Sequence, residues 1–536
     1  MHQSQQNTMA SYDRFTWRET SPYVWQRDID EAEQFYAAIA KLYEGSGRMF
    51  FAMTGHISLT VAKEEDKQSN IDTEKRLENA LREGWLRLRY KLPTIASRVE
   101  YDPTSCSFTK TYRACRDPTE QEDWISATFK IINSGQTGTE WCNSDPPAPN
   151  VPTLFVITPP TSAADTKEGQ IRRDLVLRSP HDIIDGIGTL HLLNHLVDLA
   201  SNIYSGVLPN ISVVYDGSES VNLSPPFRVA AAIPPTPTPV HKARLEEIAH
   251  EKVSRAGNGS DIEEASLPYK HGPVVPGVHQ RVEHIFSEEQ TNELLAACKA
   301  NNATVTHAFH TGIAIALRDI QERREAPRRV RYSAYLLRNE RVHCLKPYNT
   351  AMHAAAVYHS ASSGSAAVDM TVPSLSEMDA DGSIKRKEFT EVLHIMREFY
   401  YQSRDDVDHP QLAPYLWAAS IPVLPVEIIR AGQPLPVPPP NPLPTVSISS
   451  MGRIDDIIGQ SVGAFEIFSP WVTGEELRNG FGLFLGTFRG RLCLSAAFNE
   501  AWHSRDETVE FLQRCTELVF QGLNVDDSSG LYNRSI

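Results

Sequence analysis

The sequence predicts an α/β protein of two domains, and three observations lead to that prediction. The chain has 536 residues, more than a single hydrophobic core normally serves. Segments with apolar residues at helical spacing alternate with short strand-like runs in both halves. A proline-rich and then polar stretch separates the halves. We therefore expect an N-terminal domain at 1-223, a crossover connection at 224-270 and a C-terminal domain at 271-536.

The first half alternates helix and strand signals. The apolar residues of 71–91 are spaced by three and four, which predicts a helix that Pro93 ends. Strand-like runs follow at residues 124–129, 153–157 and 175–179. A second helix is predicted over 188–204, and Gly206 is well placed to stop it.

The second half shows the same mixture. Helical spacing recurs at residues 287–300, 304–317 and 507–518. Two apolar runs, 481–485 and 492–496, flank Arg489 and Gly490 and predict a β-hairpin. Between these features, residues 433–444 carry prolines at almost every second position, which predicts an extended loop.

The charge balance excludes one class of partner. The formal net charge is −15, from 52 Lys and Arg residues against 67 Asp and Glu residues. Nucleic-acid binding needs a surplus of basic residues to neutralise phosphates, so we expect no nucleic-acid partner. An anionic co-substrate needs only a local basic patch, and Arg328, Arg329 and Arg331 form one candidate patch.

Neither a membrane span nor a metal site is indicated. No apolar run approaches the ~20 residues of a membrane helix. The 7 cysteines include no Cys-x-x-Cys pair, so neither a zinc site nor a redox motif is predicted. Residues 1–6 have no basic start and no apolar core, unlike a signal peptide. We expect a cytoplasmic protein without a metal.

The segment with the clearest chemistry runs from Ser179 to Gly186 and contains His181 and Asp185. It lies between a predicted strand and a predicted helix, where a side chain can project from a rigid scaffold into a cleft. A neutral histidine there can take the proton of a hydroxyl as the oxygen attacks a thioester, and return it to the departing thiolate. Gly186 permits a tight backbone at the start of the helix.

The spacing His-x-x-x-Asp-Gly is compatible with two interpretations. In the first, His181 is a general base and Asp185 supports it. In the second, Asp185 caps a helix and His181 stands beside it without a chemical role. The spacing alone leaves both open, since so short a pattern also arises by chance.

This segment resembles the active-site motif of coenzyme A-dependent acyltransferases, the superfamily that holds plant BAHD enzymes, alcohol acetyltransferases and peptide-synthetase condensation domains. Further stretches are similar to segments of that superfamily in the same order, namely residues 92–99, 303–309, 335–341 and 447–452. Condensation domains carry a second histidine where Pro180 stands here, which favours simple acyl transfer. More narrowly, the length and texture resemble the fungal trichothecene 15-O-acetyltransferases.

The resemblance implies two chloramphenicol-acetyltransferase-like domains, each a mixed, mostly antiparallel sheet with helices, and an active-site tunnel between them. It implies His181 as the base, acetyl-CoA as co-substrate and the C-15 hydroxyl of a trichothecene as acceptor. In such enzymes the motif aspartate pairs with an arginine, and Arg338 is the best-matching partner for Asp185. Asp185, Gly186 and Arg338 would then hold the motif in shape.

The resemblance also reaches beyond the motif. Ser449 and Ser450 lie in a stretch similar to a late Ser-Asn-x-Gly loop of the family, and we expect them to line the tunnel. The residues that bind coenzyme A cannot be picked out among 52 Lys and Arg residues. We expect a monomer whose partners are acetyl-CoA and a small-molecule alcohol.

Two alternatives belong to other functional classes. Ser461 lies in a Gly-x-Ser-x-Gly pattern, which in a serine hydrolase or esterase places the nucleophile between a strand and a helix. The residues after Ser461 read as strand and turn, which disfavours that reading. The second alternative is a binding protein that kept the fold and lost the reaction. The presence of His181, Asp185 and Gly186 argues against it.

Overall fold

The computed structural model describes residues 12–63, 67–162, 167–208, 216–257, 261–377 and 382–525. Residues 1–6, on which the signal-peptide argument rests, lie outside this part of the chain. The described residues form a mixed α/β structure with two lobes, as the sequence predicts.

The strands carry apolar residues on one or both faces and form five sheets within the described residues. In chain order they are Arg18–Ser21 (β1), Val24–Asp28 (β2), Met53–Ala62 (β3), Ser97–Asp102 (β4), Ser107–Arg113 (β5), Phe129–Ile132 (β6), Thr153–Ile157 (β7), Gln170–Ser179 (β8), Ile262–Glu264 (β9), His279–Ile285 (β10), Arg328–Ala334 (β11), Leu337–Asn339 (β12), His359–Ala361 (β13), Ala366–Val372 (β14), Val446–Arg453 (β15), Ser461–Val462 (β16), Phe465–Gly474 (β17), Phe481–Phe488 (β18) and Arg491–Asn499 (β19).

The α-helices mostly begin at a capping Ser, Thr or Asp. In chain order they are Glu31–Tyr43 (α1), Lys67–Lys91 (α2), Pro118–Thr128 (α3), Gly138–Cys142 (α4), Gly186–Tyr204 (α5), Phe227–Ala230 (α6), Pro239–Gly257 (α7), Glu288–Ala300 (α8), Val305–Asp319 (α9), Gly382–Asp405 (α10), His409–Ala418 (α11), Val426–Arg430 (α12) and Arg505–Leu523 (α13).

The N-terminal lobe is built on a six-stranded sheet with the order β16-β17-β3-β8-β7-β6. Helices α2 and α5 pack on each other and cover one face of this sheet. Gly84 of α2 lies against Ala200 of α5, where an added Cβ would come within 3.3 Å of the Ala200 backbone nitrogen. This close approach lets the two helices bury a continuous apolar layer that includes Trp85 and Leu196.

Strand β17 comes from the C-terminal half of the chain and pairs antiparallel with β3 of the N-terminal half. The register places Trp471 opposite His56 and Ile467 opposite Leu59, and shifts between Phe468 and Trp471. The first sheet is therefore shared by the two halves. The domain boundaries predicted from the sequence, 1-223 and 271-536, stay a prediction.

The C-terminal lobe has a four-stranded sheet, β10-β19-β18-β15, and a three-stranded sheet, β14-β11-β9. In the first of these, β15 runs parallel to β18 and the other pairs are antiparallel. Helices α9, α10 and α13 fill the space beside the strands. Phe309 and Val519 lie at the centre of this second core and are fully buried.

Most of the predicted elements are confirmed. The helix expected at 71–91 lies within α2, and the one expected at 188–204 lies within α5. The expected hairpin is β18 and β19. Its turn residues Arg489 and Gly490 both have positive φ, at 50° and 70°, as a two-residue hairpin turn requires.

One strand prediction is wrong. Residues 124–128 belong to helix α3, and only Phe129 continues into a strand. The Asp117 carboxylate accepts hydrogen bonds from the amides of Thr119 and Glu120, and Pro118 occupies the first helical position. These start signals outweigh the strand preference of the Trp and Ile that follow. The predicted connection at 224-270 is also more ordered than a loop, because it contains α7.

The candidate basic patch is neutralised by carboxylates. Arg328 pairs with Glu263 at 2.6 Å, while Arg329 and Arg331 both pair with Asp369. The patch therefore does not offer three unpaired guanidinium groups to an anion. Among the helices that the structure describes, none combines the length and the apolar composition of a membrane span.

Candidate active site

His181 lies in the short connection between β8 and α5, at the point where the sheet ends and the helix begins. The amide of Ile183 bonds to the carbonyl of Pro180 and closes a tight turn around His181. The side chain is 8% exposed, so it is nearly enclosed but still reaches a surface. The strand-helix junction thus fixes the imidazole on two rigid elements, as the sequence predicts.

Aromatic rings surround the imidazole. Tyr36 of α1 stacks on His181 with ring centroids 3.7 Å apart and planes inclined by 13°. His359 of β13 lies with its ring centroid 5.4 Å away, and Phe51 lies 6.5 Å away edge-on. The tyrosine hydroxyl is 3.0 Å from Nε2 of His359. The His181 ring is therefore held by side chains from both halves of the chain.

This environment keeps the imidazole uncharged. Burial, together with the neighbouring His359, lowers the pKa of His181 to about 3. The group is consequently neutral throughout the physiological range. Its Nδ1 atom is buried and has no hydrogen-bond partner among the described residues. A neutral, enclosed imidazole can accept a proton from a hydroxyl brought next to it.

Asp185 caps α5 and anchors it to the C-terminal half. Its carboxylate accepts a hydrogen bond from the Gly188 amide at 2.8 Å and another from the Tyr358 amide at 2.8 Å. Nη1 of Arg341 lies 2.8 and 2.7 Å from the two carboxylate oxygens. Burial alone would raise the pKa of this carboxyl, but Arg341 holds the pKa below its ordinary value.

The assignment of Arg338 as the partner of Asp185 is wrong. Arg338 donates to the buried carboxylate of Glu340 at 3.0 Å and to the carbonyl of Ser403. Strand β12 ends at Asn339, and a 3₁₀ turn over Glu340–His343 follows it. That turn directs Arg341 inward, where it is 5% exposed and also bonds to the backbone of the 354–356 segment.

The two glycines at the start of α5 differ in their surroundings. A Cβ at Gly186 would meet Met451 and Val472 at 3.6 Å, an ordinary van der Waals distance. A Cβ at Gly188 would lie 2.2 Å from the Ala354 carbonyl oxygen and 2.7 Å from Nη2 of Arg341. Gly186 is also absent from the residues with positive φ. Gly188 has no positive φ either, so what sets it apart is that its surroundings leave no room for a side chain.

We expect Gly188→Ala to destabilise the fold by about 1–3 kcal/mol. The added methyl group would push against the Ala354 carbonyl oxygen and against Arg341, the partner of Asp185. Gly186→Ala should change the free energy of unfolding by less than about 1 kcal/mol, since its Cβ fits. Urea denaturation of the two variants beside the unchanged protein measures both values. Equal destabilisation by the two substitutions would contradict the steric assignment.

The two serines predicted to line a tunnel lie on β15. Ser449 is buried, whereas Ser450 is exposed and accepts a hydrogen bond from the Thr306 hydroxyl at 3.0 Å. The following residue, Met451, packs next to Gly186. The structure therefore brings β15 to the start of the motif helix, and the tunnel role of both serines stays a prediction.

A small cavity of about 110 Å³ lies between β17 of the shared sheet and the strands of the C-terminal lobe. Its wall includes Met451 and Val472, the two residues next to Gly186. Most of the wall is apolar. One buried cation, Arg281, stacks on Trp471 at 4.3 Å and pairs with Glu283 at 2.7 Å. The motif segment thus has this cavity at one end and the aromatic rings around His181 at the other.

Sequence reasoning missed Tyr36, His359 and Arg341. The local pattern around Tyr36 is that of an amphipathic helix, and His359 stands in a run of small residues. Only Arg341 carried a signal, because it ends the 335–341 stretch that resembles the family. The other two approach His181 through tertiary structure alone.

The serine-hydrolase alternative does not fit the structure. Ser461 begins the two-residue strand β16, and the chain then turns at Gly463 into strand β17. A nucleophile elbow needs a helix directly after the serine. Within the described residues, no group of three or more His, Cys, Asp and Glu side chains is placed to hold a metal ion.

Sequence comparison finds fungal relatives along almost the whole chain. An O-acetyltransferase named pigM from Monascus ruber is 24% identical over 521 residues, which covers 95% of this chain and 88% of the relative. An acetyltransferase named pigO from the same organism is 22% identical and matches 96% of this chain and 100% of its own length. No protein-family model matches the chain.

Structure comparison finds the same two-lobed fold in solved proteins. The TRI3 trichothecene 15-O-acetyltransferase from Fusarium sporotrichioides has a TM-score of 0.72 and 16% identity, covering 95% of this chain and 98% of its own. The condensation domain of the Monacolin K polyketide synthase MokA has a TM-score of 0.53 and 11% identity, covering 92% and 97%. The structural likenesses show the fold, and the named relatives support an enzyme of the acyltransferase class.

Proposed function

We propose that this chain is an acetyl-CoA-dependent O-acetyltransferase in which His181 is the general base. The observation that carries the proposal is the buried, neutral imidazole at a strand-helix junction, where side chains from both halves of the chain enclose it. Full-length similarity to proteins named O-acetyltransferase and acetyltransferase supports the choice of reaction. The neutral imidazole supports the choice of base.

The reaction would proceed in two proton transfers. Nε2 of His181 takes the hydroxyl proton of the acceptor while the oxygen attacks the thioester carbonyl carbon of acetyl-CoA. The tetrahedral intermediate then expels the coenzyme A thiolate as the carbon–sulfur bond breaks. The imidazolium returns the proton to the sulfur, which leaves an acetyl ester, free coenzyme A and a neutral histidine. Positioned proton transfer of this kind typically contributes 10² to 10⁴ in rate, as an order of magnitude.

Asp185 would hold the motif segment in its conformation and would take no part in the proton transfer by His181. Both of its oxygens face Arg341, the Gly188 amide and the Tyr358 amide, so its acceptor sites are already used. We assign it, together with Arg341, to holding the start of α5 against the C-terminal half. Ser449 and Ser450 are proposed as tunnel-lining residues near this point.

The acceptor is proposed to be a hydroxyl group of a fungal secondary metabolite. The C-15 hydroxyl of a trichothecene is one candidate, supported by the fold shared with TRI3. An azaphilone alcohol is the second candidate. It is supported by a match to azaphilone biosynthesis cluster protein M of Aspergillus terreus, 23% identical over 370 residues, 67% of this chain and 79% of that protein.

We expect free coenzyme A to be released when the protein meets acetyl-CoA and the correct alcohol, and not when either is left out. A thiol-reactive dye measures the release, with a trichothecene bearing a free 15-hydroxyl and an azaphilone alcohol tested in parallel. Mass spectrometry of the product should show one added acetyl group.

Three results would separate the possibilities. Release with one alcohol identifies the acceptor class. Slow hydrolysis of acetyl-CoA that requires His181 keeps the base but discards both acceptors. Absence of any reaction with acetyl-CoA, alone or with alcohols, would contradict the proposal and favour a binding protein of the same fold.

A further inference from the structure

Three rings from distant parts of the chain meet at the base. The centroid distances are 3.7 Å for Tyr36–His181, 5.4 Å for His181–His359 and 5.6 Å for Tyr36–His359. These values form a triangle, so His359 lies beside both other rings and does not sandwich His181 against Tyr36. The Tyr36 hydroxyl reaches past His181 to Nε2 of His359 at 3.0 Å. One hydrogen bond therefore closes the triangle.

Helix α1 is fixed to the motif loop by buried charges. Glu33 lies on α1, one turn from Tyr36, and pairs with Arg27 at 2.6 Å and with Lys110 at 2.5 Å. Lys110 donates a further hydrogen bond to the backbone carbonyl of Asp182, next to His181. Burial raises the pKa of Glu33, but the two cations lower it to about 2, so the carboxylate stays charged. Tyr36 is thus held in register with the base.

His359 is fixed from the other side. It lies on β13, whose partner strand β12 carries Asn339 opposite it. Its chain neighbour Tyr358 donates an amide hydrogen bond to Asp185. The indole of Trp417 packs edge-on against the His359 ring at 5.6 Å. The second histidine therefore shares its support with the motif aspartate.

We propose that Tyr36 and His359 are positioning residues that hold His181 and keep its surroundings uncharged during proton transfer. This inference rests on the proposed role of His181 as the base. In the tautomer of His359 whose Nε2 carries no hydrogen, the Tyr36 hydroxyl donates to that nitrogen at 3.0 Å, and we assign this bond to holding the ring in its neutral form. A neutral His359 permits His181 to become an imidazolium in the transition state, whereas a charged His359 would oppose it.

The charged and titratable groups that face His359 determine whether a change in its protonation can be measured. The titratable and charged side chains around it, from the elements packed against it, are Tyr36 of α1, His181 and Asp185 of the motif segment, Glu340 and Arg341 of the turn after β12, and His409 of α11, which bonds to Ser360 next to His359. Burial keeps the Tyr36 phenol protonated, since it raises its pKa well above the ordinary value. Asp185 and Arg341 neutralise each other. His359 is then the titratable ring that the Tyr36 hydroxyl contacts directly, at 3.0 Å.

Tyr36→Phe should lower kcat/KM at neutral pH by roughly 3- to 10-fold, the effect of losing one neutral hydrogen bond. The acid limb of the pH profile should move to higher pH by on the order of one unit, because His359 then protonates more readily. Tyr43→Phe is the matched control, since Tyr43 lies on the same helix and, within the described part of the chain, its hydroxyl accepts a single hydrogen bond, from Arg478 at 3.4 Å. That control should leave the acid limb in place.

The double variant Tyr36→Phe/His359→Gln separates charge control from simple packing. Glutamine cannot be protonated, so the acid limb of the double variant should return to the position of the unchanged protein. An acid limb that stays in place in folded Tyr36→Phe would overturn the proposal. So would a limb that remains shifted in the double variant.

A measurement without substrate keeps this inference separate from the proposed reaction. The Cε1 protons of His181 and His359, assigned by NMR with single substitutions, report both titrations directly. In Tyr36→Phe the His359 titration should move to higher pH even if no tested alcohol is acetylated. A His359 titration that does not move would contradict the positioning role. The proposed acetyl transfer is tested separately, by the activity assays.

Discussion

His181→Ala is expected to lower kcat for acetyl transfer by about 10²- to 10⁴-fold, because the imidazole is the only proton acceptor that the proposal uses. Among the described residues Nδ1 of His181 has no hydrogen-bond partner, so the substitution leaves no polar group orphaned. The substitution removes a buried ring that stacks on Tyr36, so the melting temperature should fall by a few degrees while the protein stays folded. Initial rates of coenzyme A release and thermal unfolding by circular dichroism measure the two effects.

An exposed histidine supplies the control. His250→Ala lies on α7, outside the site, and should keep the full rate. The pH profile gives an independent check, because burial lowers the pKa of His181 to about 3. The protonated, inactive form is favoured only as pH falls towards that value. We therefore expect kcat/KM to stay level well below the ordinary histidine pKa of about 6.5. A fall centred near 6.5, or an active His181→Ala variant, would contradict the assignment.

Asp185→Asn is expected to destabilise the protein by about 3–5 kcal/mol and to lower its soluble yield, because it leaves the buried charge of Arg341 without its partner. The carboxylate also holds two backbone amides, and the amide of asparagine can accept only part of those bonds. Chemical denaturation measures the loss. Activity should fall with the folded fraction, and a stable but inactive Asp185→Asn protein would indicate a direct catalytic part.

A double-mutant cycle distinguishes the two arginines. Asp185→Asn combined with Arg341→Met should show a coupling energy of on the order of 1–3 kcal/mol, since the two side chains contact each other. The same cycle with Arg338→Met should show coupling near zero, within about 0.5 kcal/mol, because Arg338 pairs with Glu340. Strong coupling to Arg338 would restore the assignment made from the sequence.

Much of the fold follows from local patterns in the sequence. The spacing of apolar residues predicts helices α2 and α5. Two strand-like runs around Arg489 and Gly490 predict the β18–β19 hairpin. Such signals depend on residues close together in the chain. Where two local signals compete, the prediction can fail. Asp117 and Pro118 start a helix, although the residues that follow them have the pattern of a strand.

The residues of the candidate site also differ in how far they can be predicted from nearby sequence. His181 and Asp185 share one short segment, so their type and spacing can be read directly. Arg341 and Arg338 are three residues apart, and which of them faces inward is decided by a single 3₁₀ turn. Tyr36 and His359 reach His181 from positions more than a hundred residues away in each direction. No periodicity in a single sequence encodes a contact at that separation.

The pairing of β17 with β3 has a consequence for how the chain is made. About 400 residues separate the two strands, so at 5–20 residues per second a ribosome needs roughly 20 to 80 seconds between them. During that interval β3, which is buried on nearly its whole length in the finished protein, is the edge of an unfinished sheet. Such an edge invites pairing with other nascent chains. The yield of folded protein in a foreign host should therefore depend on translation speed and temperature more than on the stability of the finished molecule.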